Sequence, residues 1–323
     1  MTAVALSPSR PDTCLWDGVL NVRKEAGWTS HDVVARLRGK LRGGKVGHAG
    51  TLDPAATGVL PVLVGKATRI AEYLLAWDKQ YLVELRLGET TDTQDATGTV
   101  LDRKPVDQLT EQVVREAAAR FEGRILQVPP MYSAVKVKGV PLYKSARAGR
   151  EVEREARAVT IDRLEVLRVR MPDVTLRVVC SKGTYMRTLC ADIGESLGVG
   201  GHMLALDRER VGPLKVEQAL TVHEVESRLA AGTFGDLLLT LDRALVDLPA
   251  CTLSRESAAR VLHGTPVERR DVLAWEPADV ATVDGVERAI RLKDEGGRLL
   301  GIGMLRGQGR QPLIPVSKVL ITE

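Results

Sequence analysis

Val46-Gly47-His48-Ala49-Gly50-Thr51-Leu52-Asp53-Pro54-Ala55-Ala56-Thr57-Gly58-Val59-Leu60 lies between a basic segment and an apolar run. It carries one carboxylate, one imidazole, one proline and three glycines. Gly47, Gly50 and Gly58 permit positive φ and a close approach of backbone or ligand. Pro54 disfavours the helical region at Asp53, which places that carboxylate on an extended or turn segment. The competing reading makes Asp53 the N-cap of a helix that starts at Pro54. Gly58 and Pro61 leave such a helix little length. A shaped loop carrying a carboxylate, followed by a buried strand from Val59 to Val64, fits better.

The rest of the chain suits a globular body around that loop. It has 323 residues, 44% hydrophobic and 27% charged, enough for one large or two unequal domains. No apolar run reaches the length of a membrane span, and Met1 to Cys14 lacks the pattern of a secretory signal and reads as a loose tail. Cys14, Cys180, Cys190 and Cys251 are scattered with no Cys-x-x-Cys pair. That argues against a zinc site or disulfide framework and for a reducing, cytoplasmic setting.

Asp17 to Val22 reads as a strand. Arg23 to Ser30 forms a turn ending in caps for a helix over 31–41, with Val33, Val34, Leu37 and Leu41 on one face. Lys24 in that turn is a candidate support for the site loop, although an exposed position suits a lysine better. Gly39 to Val46 nearly spells a P-loop, but Val46 stands where Ser or Thr must reach magnesium and a helix precedes it, so nucleotide binding is rejected. A helix is predicted over 67–76 and an alternating strand over 81–87. Asp92 and Asp95 lie in a polar Thr/Gly-rich loop that reads as a turn. Thr110 caps a helix over 111–121, closed by Gly123.

Val174 to Cys180 is a strand, and Ser181-Lys182-Gly183-Thr184 turns into a helix over 185–197. Its N-terminus after Lys182-Gly183 suits an anion, with Tyr185 and Arg187 in the first turn. From Pro249 the chain restarts: Ser254 caps a helix ending near His263, and strands follow over 289–293, 299–305 and 313–316. Between Lys136 and Arg157 there are seven basic and three acidic residues, a surplus equal to the whole chain's formal charge of +4. A basic patch on a neutral body suits a phosphate-bearing partner, and equally a solvated loop.

Three stretches together resemble one family. Gly47-His48-x-Gly50-x-Leu52-Asp53-Pro54-x-Ala56-Thr57-Gly58-x-Leu60 is similar to the catalytic motif of the TruB family, the bacterial synthases that make pseudouridine 55 in tRNA. Pro129-Pro130-Met131-Tyr132-Ser133-Ala134, with Leu142-Tyr143 and Ala146-Arg147-x-Gly149 after it, resembles the second motif and its RNA-gripping thumb. Cys180-Ser181-Lys182-Gly183-Thr184-Tyr185-x-Arg187-Thr188-Leu189 resembles the third. The segment from His202 to Gly212 is like the family's Leu-x-Arg strand. One departure is Lys24-Glu25, where the family usually has Lys-Pro.

The resemblance implies an α+β fold: a mixed, mainly antiparallel central sheet flanked by helices and loops, with a small C-terminal PUA-like β barrel. It implies a tail over 1–15, a catalytic domain over 16–247 with a thumb-like insertion over 131–157, and an RNA-binding domain over 248–323. The implied reaction isomerises a uridine in RNA and needs no cofactor. Asp53 is the implied nucleophile, with attack on C1′, attack on C6 and assistance to elimination all open to it. Arg187 is the cation that keeps it ionised, and Tyr81 stacks on the extruded base. His48 fills the vacated space, Tyr185 orients the pair and Leu206 closes the pocket. Lys24, Lys182, Tyr132, Arg147, Arg150 and Arg154 complete the substrate-binding set. The implied partner is the T-arm of tRNA, bound by a monomer with no obligatory protein partner and no membrane.

Overall fold

The computed structural model describes residues 16–41, 44–133, 136–137, 139–142, 150, 152–279, 287–306 and 313–321. The predicted N-terminal tail, and Tyr143 and Arg147 of the basic insertion, lie outside them.

The first half begins with β1 (Gly18–Lys24), α1 (Ser30–Lys40), β2 (Val46–His48) and β3 (Thr57–Val64). Thr29 caps α1 and exchanges hydrogen bonds with Asp32 in a reciprocal capping box, so the helix begins where its polar residues dictate. The helix predicted over 67–76 is instead a 3-10 segment, Gly65–Ile70, followed by a short α2 (Ala71–Leu75). The Thr68 hydroxyl donates to the Gly65 carbonyl at 2.8 Å, a local bond that favours the tighter turn.

β4 (Lys79–Leu87) shows the predicted alternation, with Tyr81, Val83, Leu85 and Leu87 inward. β5 (Glu89–Thr91) and β6 (Val100–Arg103) pair with each other, and α3 (Glu111–Ala119) leads to β7 (Gly123–Gln127). After the short pair β8 (Lys136–Val137) and β9 (Val140–Pro141) come β10 (Arg157–Arg170) and β11 (Asp173–Cys180). β10 has no counterpart in the sequence reading. Its pairing with β11 shifts register twice, which breaks the period-2 pattern that marks a strand. Then follow α4 (Met186–Ser196), β12 (Gly201–Val211), β13 (Leu214–Lys215), α5 (Val222–Ala230), β14 (Leu238–Leu239) and α6 (Leu241–Ala244).

The main sheet runs β14-β1-β3-β12-β4-β11-β10-β7, with β2 beside β3 and β13 beside β12. Its described pairings are antiparallel except one. β3 and β12 run parallel and meet through only two pairs, Asp207 with Thr57 and Arg208 with Gly58. On one side of this seam α1 and α5 bury Val33, Leu37 and Val225 against β1 and β3. On the other, α3 and α4 bury Val114, Leu189 and Ile193 against β4, β10 and β11. The sheet is thus two well-packed halves joined by a narrow contact, the kind of seam where a cleft forms.

The C-terminal region has its own core around α7 (Arg255–Leu262), which Ser254 caps as predicted. Its strands are β15 (Ala250–Leu253), β16 (Val267–Glu268), β17 (Val272–Glu276), β18 (Arg288–Lys293), β19 (Leu299–Leu305), β20 (Leu313–Ile314) and β21 (Val316–Val319). A barrel was expected; among the described residues the pairings give an open five-stranded order, β17-β15-β18-β19-β21, with β16 and β20 as a separate pair. Leu299, Ile302 and Leu320 share a core with Trp77, Val211 and Leu245 of the first region. Arg291, buried, reaches Asp242 at 2.9 Å and the Leu248 carbonyl at 3.0 Å, so the two regions are pinned by charge as well as apolar contact.

Candidate active site

The seam sets the position of the loop that precedes β3. Gly58 has φ +103°, and a Cβ there would lie 2.3 Å from the Arg208 carbonyl oxygen. Only glycine lets the strands approach so closely. Upstream, the Ser30 hydroxyl accepts from the Leu52 amide at 2.9 Å and the Pro54 carbonyl accepts from the Gly27 amide at 2.9 Å. The Asp53 carbonyl accepts from the Ala56 amide, closing a turn and not a helix, as the loop reading required.

Lys24, expected as an exposed lysine, is 0% exposed. Its ammonium donates to the carbonyls of Glu25, Trp28 and Pro54 at 3.0, 2.7 and 3.1 Å. Burial lowers its pKa to about 8, with Asp53 pulling the other way. Lys24 supports the loop from inside and faces no groove. Lys24→Met leaves three part-buried carbonyls without their shared donor and is expected to destabilise the fold by about 1–3 kcal/mol in urea unfolding at pH 7. A loss below about 0.5 kcal/mol is the result that removes this supporting role.

The cation comes from the other half of the sheet. β11 ends at Cys180, and the Thr184 hydroxyl donates to the Ser181 carbonyl as the chain turns into α4. Buried Gln127 fixes the helix start, accepting from the Tyr185 amide at 3.0 Å. Arg187, in the first turn, is 6% exposed on its side chain, whereas Asp53 is 37% exposed. The carboxylate is open to an incoming molecule while its counter-ion is not. Arg187 Nε lies 3.0 Å from Asp53 Oδ2, and Nη2 donates to the Tyr132 carbonyl at 2.7 Å. Nη1 lies 3.8 Å from Asp95 Oδ2.

Asp95 was read as a turn residue. It is one, accepting from the Thr93 and Thr97 hydroxyls through Oδ1, but its other oxygen faces Arg187. The guanidinium therefore serves two carboxylates. Burial pushes the Asp53 carboxyl above its ordinary range; Arg187 and Lys24 pull it down, and Asp95 adds to the rise. Desolvation is the largest influence on the Asp53 carboxyl, and the Arg187 guanidinium is the main one opposing it.

Tyr81 faces inward from β4 and stands opposite Arg208 in the β4–β12 register. Burial pushes the phenol upward and Arg208 opposes the shift. Leu206 is partly buried and packs against the cluster that holds Tyr81. His48 lies on β2 with Nδ1 buried and unpartnered, and burial lowers its pKa, as does Arg208. Tyr185 is the N-cap of α4, and Lys182 is exposed on the turn before it. Tyr132 is exposed at the root of the basic insertion, next to Arg187 through its carbonyl. Arg150 is exposed, and Arg154 donates to the Pro129 carbonyl at 3.1 Å.

Comparison with known proteins adds a second line. The model of the TruB family pseudouridylate synthase N-terminal domain matches residues 38–186, and that of the tRNA pseudouridylate synthase B C-terminal domain matches 187–247. The tRNA pseudouridine synthase B of Ralstonia pickettii is 45% identical over 94% of this chain and 96% of its own. The chain belongs to the TruB family. The synthase of Geobacter sulfurreducens is 46% identical over 79% of this chain and 84% of its own. A solved Cbf5-Nop10-Gar1 complex contains a chain with 28% identity and a TM-score of 0.75, covering 97% of this chain and 88% of that one.

Among TruB-like features, the pair of Asp53 and Arg187 is joined across 134 positions of sequence. Sequence reasoning passed over Arg208 and Asp95. Arg208 follows Leu206 in the Leu-x-Arg strand, so its motif was visible and its partners were not. Asp95 carried no signal beyond its place in a Thr/Gly-rich turn.

Proposed function

We propose that this protein converts uridine to pseudouridine in tRNA, and that its target is uridine 55 of the T-loop. The observation that carries the reading is the Asp53–Arg187 pair, with the carboxylate open and the guanidinium buried, in a chain of the TruB family. The N1–C1′ bond breaks, the uracil turns, and C5 bonds to C1′; C5 loses its proton and N1 gains one, so nothing is consumed. Asp53 is the nucleophile, which must be ionised to act.

The target base is extruded at a cost of a few kcal/mol. Stacking on Tyr81 returns about 1–3 kcal/mol of it. Leu206 closes the pocket, His48 takes the place of the base, and Tyr185 orients the ion pair. Residues 16–247 form the catalytic domain. The insertion over 131–157 and the region over 248–323 bind the RNA by its shape and backbone. The protein works as a cytoplasmic monomer on tRNA alone. Likeness to the chain in the Cbf5-Nop10-Gar1 complex raises a second reading, action only within an assembly, but the higher identity to tRNA pseudouridine synthase B proteins favours the first.

Isomerisation leaves the mass unchanged, so mapping of the carbodiimide adduct of pseudouridine in a tRNA transcript incubated with purified protein tests both. Pseudouridine at position 55 supports the proposal, and no product without added proteins overturns stand-alone action. A related measurement addresses the basic insertion. Neutralising Arg147, Arg150 and Arg154 together should weaken tRNA binding and flatten the slope of log K against log salt by roughly 2–3, since fewer counterions are released. An unchanged slope takes this segment out of the interface.

A further inference from the structure

We propose that Arg208 is the positioning residue of this site: from its place opposite Tyr81 on the neighbouring strand its guanidinium holds the loop that carries Asp53, and thereby sets the separation between carboxylate and stacking ring. The inference rests on the reading of this site as a pseudouridine synthase.

Arg208 is 1% exposed. Its Nε donates to the Val59 carbonyl at 2.7 Å, Nη2 to the Gly50 carbonyl at 3.0 Å, and Nη1 to the Thr51 carbonyl at 3.3 Å. Tyr81 stands directly opposite Arg208 in the β4–β12 register. Gly58 makes room for this residue, since a Cβ there would strike the Arg208 backbone, and Gly50 takes φ +105°, a conformation that favours glycine, where its carbonyl meets Nη2. Leu206, Asp207 and Arg208 pair in unbroken register with Val83, Leu82 and Tyr81, so strand alternation turns Arg208 inward; the register shift follows at Glu209, which reaches Arg177 and Gln80.

The contacts span both halves of the sheet. Gly50, Thr51 and Val59 belong to the loop and strand on one side of the seam, and Arg208 reaches them from β12 on the other, where Tyr81 faces it from β4. A planar guanidinium can hold this set; an ammonium has fewer directions to offer. Among the described residues no carboxylate pairs with Arg208. Its titratable neighbours are Tyr81 and Lys79 on β4, His48 on β2 and Lys24 on β1. The charge is therefore directed at three carbonyls, groups that need a full donor set held in place.

The experiment compares single-turnover pseudouridine formation by wild type, Arg208→Lys and Arg208→Gln, with tRNA affinity and thermal melting measured for each. A lysine in this position is expected to lose its proton in the accessible range, because the buried lysines Lys24 and Lys79 are both held at about 8. The guanidinium of the wild type keeps its charge throughout. Arg208→Lys is expected to fall behind wild type by about tenfold or more between pH 6.5 and pH 9.5, with tRNA affinity within about threefold. Arg208→Gln is expected to be slow at every pH. A wild-type to Arg208→Lys ratio that stays constant across this range overturns the proposal, since a role in packing alone has no pH signature. That comparison needs only the lysine variant if the glutamine variant fails to fold. Wild-type protein that makes no pseudouridine overturns the functional reading instead, so the two failures are distinct.

Discussion

Asp53→Asn is expected to lower single-turnover pseudouridine formation by about 1,000-fold or more while tRNA still binds within about threefold. The amide keeps the shape of the side chain and its place in the turn but cannot act as an anionic nucleophile. Little binding is expected to depend on it, since the proposed phosphate contacts lie elsewhere in the chain. Stability moves the other way. Burial holds the Asp53 carboxyl above its unfolded value, so the ionised group subtracts from stability at neutral pH, and the subtraction disappears as pH falls through the raised value. The variant should melt at the same temperature as wild type or higher. The same shift places the acid limb of the wild-type rate above the ordinary aspartate value of about 3.9. Activity in Asp53→Asn close to that of wild type removes Asp53 from the chemistry.

Arg187→Met should lower the rate at pH 7 by roughly 100–1,000-fold, and the loss should shrink as pH rises. Removing the guanidinium leaves Asp53 and Asp95 facing each other without their shared cation. Burial and the like charge then push the Asp53 carboxyl further up. The ionised fraction at pH 7 falls, and alkali restores part of it. The Tyr132 carbonyl also loses its donor, so recovery is incomplete. Arg187→Lys keeps a charge but cannot address Asp53, Asp95 and the Tyr132 carbonyl from one plane, and it should fall between the two. Rates measured from pH 6 to pH 9 decide the matter. A loss that is the same at each pH means that Arg187 does not act through the ionisation of Asp53.

Much of the local structure was legible because its causes are local. Thr29 with Asp32 sets the start of α1, Ser254 that of α7, and the alternation from Tyr81 to Leu87 marks a strand with one face inward. Two extents were not legible. The stretch 65–75 carries helical periodicity, but a hydroxyl-to-carbonyl bond at Thr68 tightens its first half into a 3-10 turn. β10 hides its alternation behind two bulges, and where an extra residue enters a strand depends on the partner strand.

The candidate site divides the same way. By itself the amino-acid sequence determined which side chains are present and the loop on which Asp53 stands, because Pro54 and the glycines constrain their own backbone. It did not determine who meets whom. Lys24 reads as a surface lysine and becomes the internal prop of the loop. Asp95 reads as a turn and becomes a second acid at Arg187. Arg208 stands in a Leu-x-Arg strand with no partner legible and becomes the centre of the seam. Each outcome depends on groups far apart in the chain, up to 158 positions for Arg208 and Gly50. Burial alone makes those contacts strong enough to matter: a charge removed from water must find its donors or acceptors wherever the packed chain has brought them.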